Sequence, residues 1–363
     1  MKRFIALSLT IAMLLTSLVA CSPAKPAESK PGESKPAESK PAESQSAVAA
    51  PSDAAQKKLV VYSPAPEALL TSVIEQFQSE TGVEVELIQA ATGELLTRIK
   101  AESANPLADV MFGGGAESMD AFKEYLEPYI SPEAANIPES FKSPEGYWAG
   151  VFNSPMVIMY NTNLVTGKDI PAGWADFADS KWKGKIAFPD PAASGSAYTT
   201  LAILLAAMEN NGDGGWGFIK QYVDTLDGKI LGSSGAPPKG VVDGEYCMCI
   251  TTEEAVKRYQ RDGATNIDLV FPKEGTSAIP SAVGIVKGAA NPEYAKKFVD
   301  LLLTEKVQSR IADFQYRAVR TGVAEPASFV PMAKVKMANF DFVKAANDKQ
   351  DLVKKWNDVV IGK

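Results

Sequence analysis

The chain has no histidine among its 363 residues. The side chain that most often moves protons near neutral pH, and a common metal ligand, is therefore missing. A Ser-His-Asp triad and an HExxH zinc site are both excluded, so catalysis would have to run on Asp, Glu, Lys or Tyr. Cysteine is nearly as scarce, with only Cys21, Cys247 and Cys249. The last two stand two apart in EYCMCITT, a predicted strand, so their side chains share one face. Neighbours at that spacing seldom reach disulfide geometry. Buried thiols are expected there rather than a redox or metal site. A basic excess is also lacking: 44 acidic residues face 37 basic ones, for a net charge of -7. A protein that grips a nucleic-acid backbone needs the opposite sign, so nucleic acid is not an expected partner. No two tyrosines are adjacent. Beyond the N-terminal segment, no run of about 18 apolar residues offers a membrane span.

The N-terminal segment sets the address. MKRF is a short basic start, and ALSLTIAMLLTSLVA is an apolar run of signal-peptide length. Its end, LVAC from Leu18 to Cys21, resembles the lipobox of bacterial lipoproteins. The resemblance implies a signal peptide over residues 1–20, cleavage before Cys21, and a lipid on the Cys21 sulfur. Lys, Pro, Glu and Ser then repeat in KPAESKPGESKPAES, with no large apolar side chain before Val48. Such a segment cannot build a core, and its prolines favour extended chain. Residues 21–57 are expected to be a disordered tether that holds a folded body at a distance from a membrane surface.

The folded body begins near Lys57. KKLVVYS reads as a buried strand, and PEALLTSVIEQFQSET as a helix with apolar residues at helical spacing, stopped by Gly82. VEVELIQA is the next strand, ELLTRIKAES a helix, and ADVMFG a third strand running into Gly113, Gly114 and Gly115. AESMDAFKEYLEPY reads as a further helix. This alternation predicts an α/β domain with a largely parallel sheet. Ligands of such sheets sit beyond the carboxyl ends of strands, which puts Ser63, Pro64 and Gly113 to Gly115 near a cleft. GGGAES matches neither GxGxxG nor a P-loop. FNSPMVIMYNTNL is a long extended segment that can carry the chain to a second unit, built from a strand at 185–188, a helix from Tyr198, WGFIKQYVDTL, the strand YCMCI, the helix EEAVKRYQRDG and the strand IDLVF. AIPSAVGIVKG returns, a pair of helices follows, and the helical C-terminal segment is expected to cover the first lobe with its Phe and Trp residues.

Together YSPAP, ADVMFGGG, FNSPMVIMYNTNL, KWKGKIAFPDPAASGSAY and GEYCMCITTEEA resemble bacterial extracellular solute-binding proteins of ABC importers, similar to the ferric-ion, phosphonate and sugar-phosphate binding group. The resemblance implies a two-lobed type II periplasmic-binding-protein fold of class α/β. Lobe 1 is expected over 58–155 plus 280–363 and lobe 2 over 156–279, joined by two extended crossovers near Asn153–Asn161 and Ser277–Val286. It implies a small anionic solute in the cleft, an ABC permease as membrane partner, and no cofactor. A monomer is expected.

Within this frame the turn Ser194-Gly195-Ser196 precedes a helix starting near Ala197. Free N–H groups and the dipole of a helix start favour an anion, and the two hydroxyls add donors. The alternative is a plain helix cap. Thr251, Thr252 and Glu253 are candidates for the polar or cationic end of the same solute, with Ser154 in FNSP beside them. Arg317 and Arg320 in FQYRAVRTG are candidate oxyanion clamps, with Tyr316 next to them, or else interlobe salt bridges. Iron-binding members of the resembled group carry adjacent tyrosines just after the strand equivalent to YCMCI. Here that place reads Thr251-Thr252-Glu253-Glu254, so ferric ion stands as the alternative cargo, with Tyr160, Tyr198, Tyr246, Tyr259 and Tyr316 as possible phenolates. An enzyme using Asp190, Glu253 and Glu254, or a lipoprotein that binds no solute, explains the two joined units less well.

Overall fold

The computed structural model describes residues 57–209, 212–278 and 280–362. The expected signal segment, Cys21 and nearly all of the tether lie outside them. The described chain opens with β1 (Lys58–Ser63), α1 (Glu67–Thr81), β2 (Glu84–Gln89), α2 (Thr92–Ala101) and β3 (Val110–Gly115), in the order the sequence predicts. β1 pairs in parallel with both β2 and β3. α1 buries Leu69, Leu70, Val73 and Phe77 on one face. Gly82 ends it in a left-handed conformation, and its N–H returns to the Gln78 carbonyl.

The helix expected from Ala116 is cut short. α3 (Ala116–Asp120) is followed by a 3₁₀ turn and β4 (Leu126–Glu127). Leu126 and Glu127 pair with Val286 and Ile285 of the returning strand, so strand pairing takes residues that the local pattern assigned to a helix.

β5 (Ala149–Asn153) then passes through Ser154 and Pro155 into β6 (Met156–Asn161), the extended crossover seen in the sequence. Beyond it come β7 (Ile186–Pro189), α4 (Gly195–Ala207), α5 (Trp216–Leu226), β8 (Ile230–Leu231), α6 (Ala236–Asp243), β9 (Met248–Thr252), α7 (Glu253–Arg261) and β10 (Ile267–Val270). The chain returns through β11 (Pro280–Val286), α8 (Pro292–Leu303), α9 (Glu305–Gln308) and β12 (Arg317–Ala318), and closes with α10 (Phe342–Asn347) and α11 (Lys349–Ile361). The first sheet has the order β12-β5-β11-β3-β1-β2, with β4 also on β11; the second has β10-β6-β9-β7-β8. Both are mixed rather than largely parallel. β11 runs antiparallel to β3, β4 and β5 because it enters from the second sheet, and β6 is antiparallel to β9 and β10. Among the described residues no helix is long and apolar enough to cross a membrane.

Two cores follow from these sheets. The first centres on Phe77, Phe112 and Phe298, packed edge to face with ring centroids 5.2 and 5.9 Å apart. The second gathers Trp174, Phe177, Phe188 and Tyr222. The C-terminal segment corrects the expectation that residues up to 363 cover the first lobe. Phe342 does pack on Trp148, at 5.5 Å, but Trp356 of α11 is buried in the second core, 5.6 Å from Phe188. α11 packs on α4 and α5 of the second sheet, which carries Trp356 into that core. Cys247 and Cys249 are free thiols, half-buried and buried, and burial pushes both above the ordinary thiol range.

Candidate functional site

Ser194 is the N-cap of α4, and its hydroxyl accepts the Ala197 N–H at 3.3 Å. The Asp190 carbonyl accepts the Ser194 N–H at 2.9 Å and the Asp190 carboxylate accepts the Ala192 N–H at 2.9 Å, which holds the turn. Ser196 Oγ lies 3.2 Å from Ser194 Oγ. Gly195 and Ser196 are exposed, and Ala197 is buried. The first-turn N–H groups of Gly195 and Ser196 have no intrahelical carbonyl ahead of them. A side chain at Gly195 would meet nothing within 4 Å. The cap and the open N–H groups therefore coexist in one turn.

One turn further along α4, Thr199 donates its hydroxyl to Glu117 Oε1 at 2.9 Å. Glu117 is on α3, directly after β3, so this bond joins the elements of the two sheets. Ser118 Oγ also lies 3.1 Å from Oε1, while Oε2 has no hydrogen-bond partner. The carboxyl folds back over Gly115, where any Cβ would come within 2.1 Å of Oε2. Glu117 is 3% exposed. Burial pushes its carboxyl above the ordinary range; the hydroxyls of Thr199 and Ser118, and more weakly Lys349, act the other way. A carboxyl with a raised folded pKa is an unfavourable contribution once the pH exceeds its unfolded value near 4.5, and contributes nothing when both states are protonated. Glu117→Gln is therefore expected to melt higher than the parent chain at pH 7, with the gap closing as the pH falls through the carboxyl range. Thermal melts at pH 7 and pH 4 check this, and a gap that widens on acidification contradicts it.

The crossover forms a second cluster. Ser154 Oγ accepts the Glu254 N–H at 2.8 Å, and the Pro155 carbonyl accepts the Glu253 N–H at 2.9 Å, so the link between the sheets anchors the start of α7. Thr252 caps α7 through Ala255 N–H, and Thr251 is buried within β9. Thr276 of the second crossover donates to the Met156 carbonyl at 2.7 Å. Glu253, 1% exposed, accepts two hydrogen bonds from one guanidinium edge of Arg317, from Nε at 2.6 Å and Nη2 at 2.8 Å. Arg317, 3% exposed, also donates to Glu325 at 3.0 Å and to the Val330 carbonyl at 2.7 Å, and lies over the Phe329 ring. Arg317 sits in a short strand just after a 3₁₀ helix that ends at Phe314. Gln315, at φ 66°, reverses the chain there, and the buried Gln308 accepts the Val319 and Arg320 N–H groups.

Glu253 and Arg317, expected from the sequence to face the solute, are thus spent on each other. Arg320 is held elsewhere, by Glu133 at 2.6 Å and the Leu303 carbonyl at 2.7 Å. Tyr316 packs its ring 4.4 Å from that of Phe152, and burial raises its hydroxyl pKa strongly. Ser63 is buried. It donates to the Phe112 carbonyl and accepts the Ala65 N–H, tying β1 to β3. Pro64 lies against Gly113, and Gly114 holds φ 82° with Thr92 so near that a Cβ would sit 2.6 Å from its methyl group. Tyr198 donates its hydroxyl to the Ala345 carbonyl. Burial raises the hydroxyl pKa of Tyr160 and Tyr198, and pushes that of Tyr246 up to about 12, away from phenolate. Among the described residues no three acidic or sulfur side chains converge as a metal site. The residues that sequence reasoning missed are Glu117, Thr199 and Asn153. The last ends β5 at 5% exposure, with its Oδ1 unpartnered.

Known proteins share this architecture. Residues 105–346 match the family described as bacterial extracellular solute-binding protein. An uncharacterised Haemophilus influenzae protein is 29% identical over 83% of this chain and 90% of its own length. Iron uptake protein A1 of Synechocystis is 28% identical over 74% of this chain and 78% of its own. A putative 2-aminoethylphosphonate-binding periplasmic protein of Salmonella paratyphi A is 25% identical over 67% and 71%. Among solved structures, AfuA from Actinobacillus pleuropneumoniae with exogenous fructose-6-phosphate has TM-score 0.75 and 27% identity, covering 84% of this chain and 98% of that one. The Trichodesmium protein IdiA (FutA) with iron and citrate has TM-score 0.70 and 26% identity, covering 83% and 99%. The chain belongs to the bacterial extracellular solute-binding proteins, which capture solutes outside the cytoplasm for ABC importers rather than transform them.

Proposed function

We propose that this chain captures a small solute bearing a phosphoryl- or phosphonyl-type oxyanion, held at the start of α4 between its two sheets, and presents it to an ABC permease. The observation that carries the reading is the Ser194-Gly195-Ser196 turn, whose exposed N–H groups stand at the positive end of a 13-residue helix. Arg317 and Arg320 have other partners, so the anion is bound by N–H groups and hydroxyls. No covalent step is involved. Closure of the two bodies about the crossovers at 153–156 and 271–278 supplies the signal to the permease.

Ferric ion is the second reading, and the names of relatives favour it. Iron is named for the Synechocystis protein and for a Serratia marcescens Fe(3+)-binding periplasmic protein 26% identical over 84% of this chain, and a fold relative carries iron with citrate. By names alone the comparisons back iron better than an organic phosphate. Against it stands this chain's own donor set: no histidine, no tyrosine pair, and Glu253 paired with Arg317. Hard ferric iron would need oxygen donors that converge. Tryptophan-fluorescence titrations with 2-aminoethylphosphonate, fructose 6-phosphate and ferric citrate separate the two. Saturable binding of either phosphorus compound at micromolar levels supports the proposal, and binding of ferric citrate alone overturns it.

The same reading places the protein on a lipid anchor at Cys21. Cys21→Ser is expected to release it from membranes into the soluble fraction. A protein that stays in the membrane pellet after this change contradicts the anchor.

A further inference from the structure

Five buried side-chain atoms lack a hydrogen-bond partner among the described residues: Glu117 Oε2, Asn153 Oδ1, Ser143 Oγ, Trp182 Nε1 and Tyr222 Oη. Trp182 and Tyr222 belong to the second core, and Ser143 lies in the loop before β5. Glu117 and Asn153 differ from these three in chemistry and in place. Both free atoms are pure acceptors, a carboxylate and an amide oxygen. Both sit at the end of the first sheet from which the crossovers leave.

The register locates them. Ser281 of β11 is opposite Gly115 on one side and Phe152 on the other, and Pro280 is opposite Asn153. Glu117 lies on Gly115. Strands spaced about 4.8 Å apart put the two free oxygens on backbones about 10 Å apart, separated by a single strand. The intervening residues supply little, because Pro280 has no N–H. Glu117 is also tied to Thr199, four residues past Gly195, so it stands about 6 Å along the helix axis from the proposed anion turn. The start of α4 and Glu117 are thus neighbours, and Glu117 and Asn153 are two buried, unpaired acceptors on nearby strand ends of the first sheet.

We propose that Glu117 and Asn153 form the donor-reading half of the solute site, taking hydroxyl or ammonium groups of a molecule whose oxyanion lies at the start of α4. The inference rests on the oxyanion reading above and narrows it to a bifunctional solute: an anion at one end, hydrogen-bond donors at the other. A plain oxyanion leaves both acceptors unpaired, and a donor-bearing one satisfies them. A site built to hydrogen-bond a group rejects analogues that lack it. Glu117 takes over the role that the sequence suggested for Glu253, which Arg317 occupies.

Matched probes test this by isothermal titration of the full chain: 2-aminoethylphosphonate against methylphosphonate, and fructose 6-phosphate against inorganic phosphate. The parent chain is expected to prefer a donor-bearing member over its plain partner by at least tenfold. Asn153→Ala is expected to erase most of that preference; Glu117→Gln, which removes the negative charge but keeps an acceptor oxygen, is expected to erase it for an ammonium and to tighten the plain anion. Preference for the amine identifies an ammonium, and preference for the sugar phosphate identifies hydroxyls. Unchanged preference in both variants, or equal losses for both members of a pair, overturns the inference and leaves the oxyanion reading standing. A parent chain that binds ferric citrate and none of the four probes overturns both. Melting curves confirm that each variant is folded; if Glu117→Gln melts early, Asn153→Ala carries the test.

Discussion

Replacing Gly195 by aspartate is expected to abolish oxyanion binding, by about 100-fold or more, while leaving the fold intact. Stability and binding separate here for physical reasons. Gly195 has an ordinary backbone conformation, and an added Cβ meets nothing within 4 Å. An acidic residue in the first turn of a helix is favoured by the dipole, by about 0.3–1 kcal/mol, and loss of a glycine from a helix helps by a similar amount. The melting temperature should therefore hold or rise slightly. The new carboxylate occupies the positive end of α4 and repels an incoming anion. Like charges brought together at a binding site cost several kcal/mol, and every 1.4 kcal/mol is tenfold in affinity. Titration of parent and variant with whichever phosphorus compound binds, paired with melting curves, checks both halves. A folded variant that binds as tightly as the parent removes the α4 turn from the site.

Arg317→Ala is expected to destabilise the folded body by about 3–5 kcal/mol, seen as a fall in melting temperature of roughly 6–15 °C. Glu253 is 1% exposed and takes two hydrogen bonds from this one guanidinium. Removing the arginine leaves that carboxylate buried without its counter-charge, and also frees the Val330 carbonyl and Glu325. The pair joins β12 on the first sheet to the start of α7 after the second, beside the crossover at Ser154 and Pro155, so the loss falls where the two bodies meet. Replacing both members by methionine should recover most of the stability, because buried ion pairs are often no better than apolar residues of similar volume. A single variant melting within two degrees of the parent would show that Arg317 does not hold this junction.

These two residues also mark how far the sequence could be read. β1, α1, β2, α2 and β3 were legible because each buries a stripe of its own period, such as Leu69, Leu70, Val73 and Phe77. The crossover at FNSPM was legible because an apolar strand runs on either side of a proline. The Ser194 cap and the start of α4 were legible because capping and a helix start are local properties. Glu253 was read as facing a solute because it stands where iron-binding members of the resembled group carry their tyrosines, and nothing within its neighbourhood in the chain reveals a partner 64 residues away. Arg317 looked free for the same reason. Glu117 reads in isolation as an ordinary acidic residue in a first helical turn. Only the approach of Thr199, 82 residues on, and the glycine beneath it make it a buried, half-satisfied carboxyl. Trp356 carries an apolar ring but no information about which of two cores has room for it. Local chemistry was readable, and long-range pairing was not.

The most direct test of the central claim is the mass of whatever the protein carries. Native mass spectrometry of the purified protein, before and after unfolding and refolding, weighs a bound solute without guessing its identity. An adduct whose mass is that of an organic phosphate or phosphonate is expected, lost on refolding and restored by adding the compound. An adduct of iron, restored by ferric salt, would contradict the central claim and return the tyrosines to the site.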